Sequence, residues 1–188
     1  MGILAEGKHY GGIYTGQTVA EILPGICGTV PYEIKTNLTE IKLYGWLPIA
    51  SPRDNLAQVL FSIGAVIKTD LGGVLRIESL WDGISGELTQ NQMYEGPSVK
   101  YDSAVTQVVV TEHQYVEGGE ETKLFEGTAQ QGDIITFNSP MYELVADGFS
   151  ILESGANYAK VSGGSGTLKG RAYIHNTREA VSYTHLTL

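Results

Sequence analysis

Residues 51–77 constrain the fold of this chain most, because they carry consecutive signals for a helix, a strand, a tight turn and a second strand. Ser51 is a favoured helix N-cap residue, and Pro52 fits the first helical position. Asp54 places a negative charge where the helix dipole is positive. These signals predict that a helix begins at Ser51.

The buried face of this helix is marked by apolar residues three and four positions apart. They are Leu56, Val59, Leu60 and Ile63. Gly64 then ends the helix, because glycine readily takes the left-handed conformation found at helix C-termini. Residues 65–69 and 74–78 alternate as strands around the glycine-containing turn 70–73, which predicts a β-hairpin.

A weaker copy of this helix–hairpin unit lies upstream. Thr18 and Glu21 match the capping-box pattern of a helix start. The apolar face of this helix consists of Val19, Ile22, Leu23 and Ile26. Pro24 removes a hydrogen-bond donor and can clash with the preceding turn, so we expect a short or kinked helix that ends at Gly28.

The first unit also has two predicted strands, at residues 32–36 and 39–44, around a turn at 37–38. Shifting the first unit by 37 positions places its apolar helix face over that of the second unit. The alignment indicates a duplicated building unit. Two copies are too few to define a solenoid.

The composition of the chain changes at residues 86–98, which are rich in Gly, Gln, Asn and Pro. Beyond this boundary the predicted strands are 99–115, 122–126, 133–138, 157–161 and 167–175, and the glycine cluster 163–166 is the expected hairpin turn between the last two. The sequence therefore predicts an α+β fold. Two small helix–β-hairpin units occupy residues 1–95, and an antiparallel β-domain occupies residues 96–180.

Residues 181–188 are interpreted as a tail that does not belong to the natural protein. They can be encoded by the DNA of a transposon-end adapter used to prepare sequencing libraries. Our hypothesis is that the natural reading frame ends near Ala180 and that the chain is a fragment from metagenomic DNA. The alternative is an ordinary C-terminal strand. Codons that differ from those of the adapter would contradict the hypothesis.

Composition excludes several classes of function. The formal net charge is −9 and the basic residues are scattered, which argues against nucleic acid as a partner. No apolar run is long enough to span a membrane, so we expect no membrane association. Cys27 is the only cysteine, so an internal disulfide is impossible, and we expect its thiol to be buried.

No catalytic motif is apparent. His9, His113 and His175 lie far apart in sequence and lack metal-ligand spacing, and we interpret them as surface or hydrogen-bonded histidines. The glycine-rich segments match neither a phosphate-binding loop nor a nucleophile elbow. We therefore expect no catalytic residue, no cofactor and no metal ion. A glycan hydrolase stays open as an alternative, since its two carboxylates need no motif.

Aromatic residues leave a second alternative, a carbohydrate- or cell-surface-binding module. Trp46 and Trp81 flank the second helix–hairpin unit, and the chain has eleven tyrosines. Exposed aromatic rings beside polar groups would favour sugar binding. Because Trp46 precedes Leu47 and Pro48, we expect it to be buried where the units meet.

A resemblance makes the expected role concrete. Residues 45–48 and 53–66 resemble a helix, Gly-Ala step and strand found in tail proteins of bacteriophages and prophages, in particular baseplate hub and tail-tip structural proteins. Residues 124–127, 151–159 and 170–175 are similar to the β-region of such proteins.

The resemblance implies a virion component without catalysis, made in the bacterial cytoplasm, that assembles as a ring around the tail tube. Its expected partners are other tail proteins and further copies of itself, with a trimer as one arrangement. The candidate structural and assembly residues are Trp46, Arg53, Leu56, Val59, Leu60 and Ile63.

Overall fold

A computed structural model of the chain describes residues 2–69, 72–80, 86, 89–92 and 105–183. Its elements confirm an α+β fold that is mostly β. The elements of the N-terminal half are α1 (Gly2–Ala5), β1 (Gly12–Thr18), α2 (Val19–Cys27), β2 (Tyr32–Ile34), α3 (Thr36–Thr39), β3 (Lys42–Leu47), α4 (Pro52–Ser62), β4 (Ala65–Thr69) and β5 (Leu75–Ser79). A 3-10 turn covers Gln90–Gln92.

The C-terminal half of the described chain is built from strands. They are β6 (Gln107–Val116), β7 (Glu121–Ala129), β8 (Ile134–Thr136), β9 (Met141–Asp147), β10 (Ile151–Gly155), β11 (Tyr158–Val161), β12 (Gly164–Ala172) and β13 (Ile174–Tyr183). They form two three-stranded antiparallel sheets, β7–β12–β9 and β10–β11–β8, and the two-stranded antiparallel sheet β6–β13.

Helix α4 begins and ends as its sequence predicts. The Ser51 side chain accepts a hydrogen bond from the backbone N–H of Asp54 at 3.1 Å, and Pro52 occupies the first turn. The helix ends at Ser62 with Ile63 as its C-cap, and Gly64 follows with φ +63°, in the left-handed region. The hairpin after it is also confirmed, since β4 pairs antiparallel with β5. Residues 70 and 71 of its turn lie outside the described residues.

Helix α2 is the short helix that Pro24 predicts. Thr18 and Glu21 form both bonds of the capping box, and the helix runs for nine residues. It ends at Gly28, whose N–H donates to the Pro24 carbonyl at 3.0 Å. Cys27 is buried in the core, as expected.

The hairpin predicted for the first unit is wrong. Residues 36–39 form the helical turn α3, so β2 and β3 do not pair with each other. Instead β2 pairs parallel with β5, and β3 pairs antiparallel with β1. Leu38 was expected in the exposed turn between the two strands. It is buried in the core instead, because burial of its apolar side chain is favourable. The two units therefore share a capped helix, but only the second unit has a hairpin after it.

The glycine cluster 163–166 is also not a hairpin turn. Gly164 begins β12, which pairs with β7 and β9, whereas β11 pairs with β10 and β8. A Cβ atom on Gly166 would lie 1.8 Å from the backbone oxygen of Asp147. Glycine is needed there because two strands approach closely.

Four strands lie wholly or mostly outside the predicted ones: β1, β9, β10 and β13. Residues 181–183, assigned to the foreign tail, continue β13 opposite residues 107–109. Residues 184–188 lie outside the described part, and the origin of the tail stays a prediction.

The buried apolar residues form two clusters. The N-terminal cluster packs α2 and α4 against β2, β4 and β5, and its largest buried side chains include Leu23, Leu56 and Ile77. The C-terminal cluster is centred on Val161 and Leu168. The domain bounds 1–95 and 96–180 stay a prediction, and the two clusters lie one on each side of that boundary.

We predict that Leu56→Ala lowers the free energy of unfolding by about 2–5 kcal/mol, because Leu56 is buried and its loss leaves a cavity. Phe61→Ala is the matched control, since Phe61 lies on the same helix with 89% of its side chain exposed. Urea unfolding followed by circular dichroism measures both values. Equal losses from the two substitutions would contradict the assigned helix face.

Candidate assembly ribbon and groove

We use the name ribbon for the paired strands β6 and β13. Ten residue pairs run from Ile174 opposite Val116 to Tyr183 opposite Gln107. Within β6 every residue except Tyr115 is exposed, so neither face of the strand is covered. Val109 is 50% exposed and its neighbour Val110, on the opposite face, is 59% exposed.

The ribbon is apolar for a surface element. Its exposed apolar residues are Val108, Val109, Val110, Val116, Ile174 and Val181. Its only formal charges are Glu112, Arg178 and Glu179, although the whole chain carries −9. Arg178 lies directly opposite Glu112 in the register, so these charges are in part balanced across the strands.

A groove of about 970 Å³ lies between β3 and α4 on one side and β6 on the other. It is lined by Tyr14, Thr15, Leu43, Tyr44, Gly45, Trp46, Leu47, Pro48, Gln58, Val59, Phe61, Ser62 and residues 110–116. Tyr44 and Phe61 are strongly exposed there, Tyr44 at 71%. The groove is therefore largely aromatic and apolar, with polar groups that include Gln58, Glu112, His113 and Gln114.

A row of rings connects the groove to the ribbon. The Trp46 and Tyr115 ring centroids are 5.9 Å apart. Tyr115 stacks on His175 with centroids 4.7 Å apart and planes 8° from parallel. His175 in turn lies edge to edge with His113, with centroids 5.1 Å apart and a hydrogen bond between the two rings. Burial raises the pKa of the Tyr115 phenol, so this ring stays neutral well into the alkaline range.

Asn157 holds this row in place from the C-terminal half. The Trp46 Nε1–H donates to Asn157 Oδ1 at 2.7 Å. The Asn157 side-chain amide donates to the carbonyl oxygens of Tyr10 at 2.7 Å and Leu47 at 2.8 Å. Asn157 is buried, so these bonds form away from water and tie the loop before β1 and the end of β3 to the turn before β11.

The structure separates the six residues predicted for assembly. Leu56, Val59 and Leu60 are buried on the core side of α4, and Ile63 packs against them partly buried. Val59 also lines the groove, together with half-buried Trp46.

Arg53 is exposed at the start of α4 and does not line the groove. Trp46 is half-buried and not fully buried as expected, and its indole N–H bonds to Asn157 of the C-terminal half. Trp81 lies outside the described residues.

Sequence reasoning missed the exposed aromatic residues Tyr44 and Phe61. Phe61 gave a usable signal, because it falls outside the apolar stripe of α4 and must therefore point away from the core. The approach of β6 to β3 left no signal in the sequence, since β6 begins sixty positions after β3 ends.

The described residues contain no group of three or more His, Cys, Asp or Glu side chains placed to hold a metal ion. No helix among them is long and apolar enough to cross a membrane. Of the described residues that line the groove, Glu112 is the one carboxylate.

Comparisons with models of protein families, with curated protein sequences and with solved structures find no match to this chain.

We predict that Asn157→Ala lowers the free energy of unfolding by about 2–4 kcal/mol, because it leaves the Trp46 N–H and two backbone carbonyl groups without their partner. Asn138→Ala is the matched control at an exposed position. Urea unfolding monitored by tryptophan fluorescence measures the difference. A change below that of the control would show that this junction does not support the fold.

Proposed function

We propose that this chain is a structural component of a phage tail tip or baseplate that acts by assembling with copies of itself and with other tail proteins, without catalysis. The observation that carries the proposal is the ribbon, an apolar two-stranded sheet exposed on both faces. The resemblance of residues 45–48 and 53–66 to tail proteins supplies the phage context.

The ribbon requires a partner on energetic grounds. Two-stranded sheets are marginally stable in water, and three or more strands are needed to make an independent unit. Burying one exposed valine fully is worth about 1.5–3 kcal/mol, so covering several of them is strongly favourable. β6 also pairs with no described strand other than β13, which leaves backbone groups along its groove edge for a further strand.

A second copy of the chain fits this surface better than an oppositely charged partner. The ribbon carries little charge, so bringing two of them together costs little repulsion despite the acidity of the chain. Apolar residues on both faces call for neighbours on two sides. A ring of identical subunits provides two such neighbours through one repeated contact.

The segments that carry the resemblance also build one wall of the groove. Residues 45–48 belong to the end of β3 and the loop after it, and 53–66 cover α4 and the first residues of β4. In a tail tip this wall would receive the ribbon of the neighbouring subunit, and a trimer is the simplest ring of this kind. Neighbouring genes for tail tube, tape measure and lysis proteins would support the virion location, and metabolic neighbours would contradict it.

We predict that the full chain forms a closed oligomer at micromolar concentration and that Val109→Lys weakens its assembly at least tenfold, by roughly 1.4 kcal/mol or more, because the charge must be buried at the contact. Light scattering coupled to size-exclusion chromatography measures the mass against the 20.3 kDa of one chain.

Val145→Lys is the matched control, since Val145 is 58% exposed on β9, outside the ribbon. It should leave the mass unchanged. A strict monomer at all concentrations, or equal effects of both substitutions, would reject assembly through the ribbon.

The groove favours carbohydrate binding as a second candidate function. Tyr44 is exposed there, and Trp46 and Tyr115 lie deeper in it. Gln58 and Gln114 supply amide groups for hydroxyl recognition. Flat aromatic rings beside such polar groups can stack on the apolar faces of sugar rings.

If this candidate is correct, soluble hexasaccharides of glucose, mannose or N-acetylglucosamine change the tryptophan fluorescence on titration, and Tyr44→Ala weakens that binding at least tenfold. Tyr44→Phe keeps the ring and serves as the control, so it should retain most of the affinity. Absence of a response to every saccharide in the wild-type chain would leave assembly as the role of the groove.

A further inference from the structure

The ribbon brings together two histidines that are 62 residues apart in sequence. His175 lies opposite Tyr115, and His113 lies opposite Thr177, so the two histidines are diagonal neighbours on one face. His113 Nδ1 and His175 Nε2 are 2.8 Å apart, and the ring planes are 19° from parallel. This contact is a hydrogen bond in which the N–H of one ring donates to the lone pair of the other ring's nitrogen.

The same two nitrogens are spaced as metal ligands. Two imidazole nitrogens bound at about 2.05 Å to one ion lie about 2.9 Å apart at the right angle of a tetragonal site, and about 3.4 Å apart at a tetrahedral angle. The observed 2.8 Å matches the tetragonal value. We propose that His113 and His175 form a two-imidazole chelate for Cu²⁺ or Ni²⁺, the divalent ions that favour tetragonal nitrogen ligation.

The proton balance of binding is simple. Both ligating nitrogens must present a lone pair, so the proton now shared between the rings moves to the other nitrogen of its own ring. Both imidazoles stay neutral and no net proton is released. His113 is exposed, so its ring can rotate until its lone pair converges with that of His175 on the ion.

The surroundings hold one ring and leave the ion accessible. Tyr115 stacks on His175 and restricts the orientation of that ring. Glu179 and Thr177 share the face of the ribbon with the histidines, and Glu112 and Arg178 lie on the opposite face. Water completes the coordination of the ion. The bound ion links β6 to β13, so both ligands come from one subunit, and the site does not depend on the phage role.

The test is a calorimetric titration of the full chain with Ni²⁺ at neutral pH in a non-coordinating buffer. The wild-type chain should bind one Ni²⁺ at the pair. His113→Asn and His175→Asn should each weaken binding at least about tenfold, because the second imidazole then no longer adds an intramolecular contact. The doubly substituted chain retains His9 and His185, so it measures the Ni²⁺ binding that comes from the other histidines.

A spectroscopic measurement separates ligation from a loss of folding. Cu²⁺ bound to the wild-type chain should show electron paramagnetic resonance coupling to two nitrogens, and to one in each single variant. Circular dichroism melts without metal should be alike for all chains, since both side chains are exposed. Equal Ni²⁺ affinity in the wild-type and doubly substituted chains, or an unchanged Cu²⁺ spectrum, would overturn the proposal.

Discussion

The hydrogen bonds of Asn157 are the interaction on which the arrangement of this protein depends. One buried amide accepts from the Trp46 indole and donates to the carbonyl groups of Tyr10 and Leu47. Buried polar groups tolerate few alternative partners, so the bonds set the position of β3 against the C-terminal strands. The groove follows from that position, since Trp46 forms part of its wall and touches Tyr115 of the ribbon.

The ribbon, unlike the buried bonds of Asn157, is exposed to water. Its valines are exposed on both faces, and its backbone along the groove is free of any described strand partner. A sheet of two strands gains too little from its own pairing to keep such apolar surface in water. Assembly with identical subunits resolves this conflict, and the scarcity of charge on the ribbon makes such contacts possible in an acidic chain.

Local chemistry made the helices predictable. Ser51 and Thr18 cap α4 and α2 through short-range bonds, and glycines end both helices, because caps and stops depend on residues within one turn. The hairpin after α2 was predicted wrongly, because Leu38 gains more from burial in the core than from a place in a turn. The row from Trp46 to His113 could not be predicted, since its members come from strands far apart in sequence.

The sequence by itself determined the α+β class, the caps and buried face of α4, and the burial of Cys27, because each rests on local pattern and composition. Only the tertiary structure decided which strands pair. It placed β2 beside β5, joined β13 to β6 across more than fifty intervening residues, and brought His113 to His175. Which strands pair depends on burial and register between segments that are far apart in sequence. The pattern of a single sequence shows which face of a strand is buried, but it does not show which other strand pairs with it.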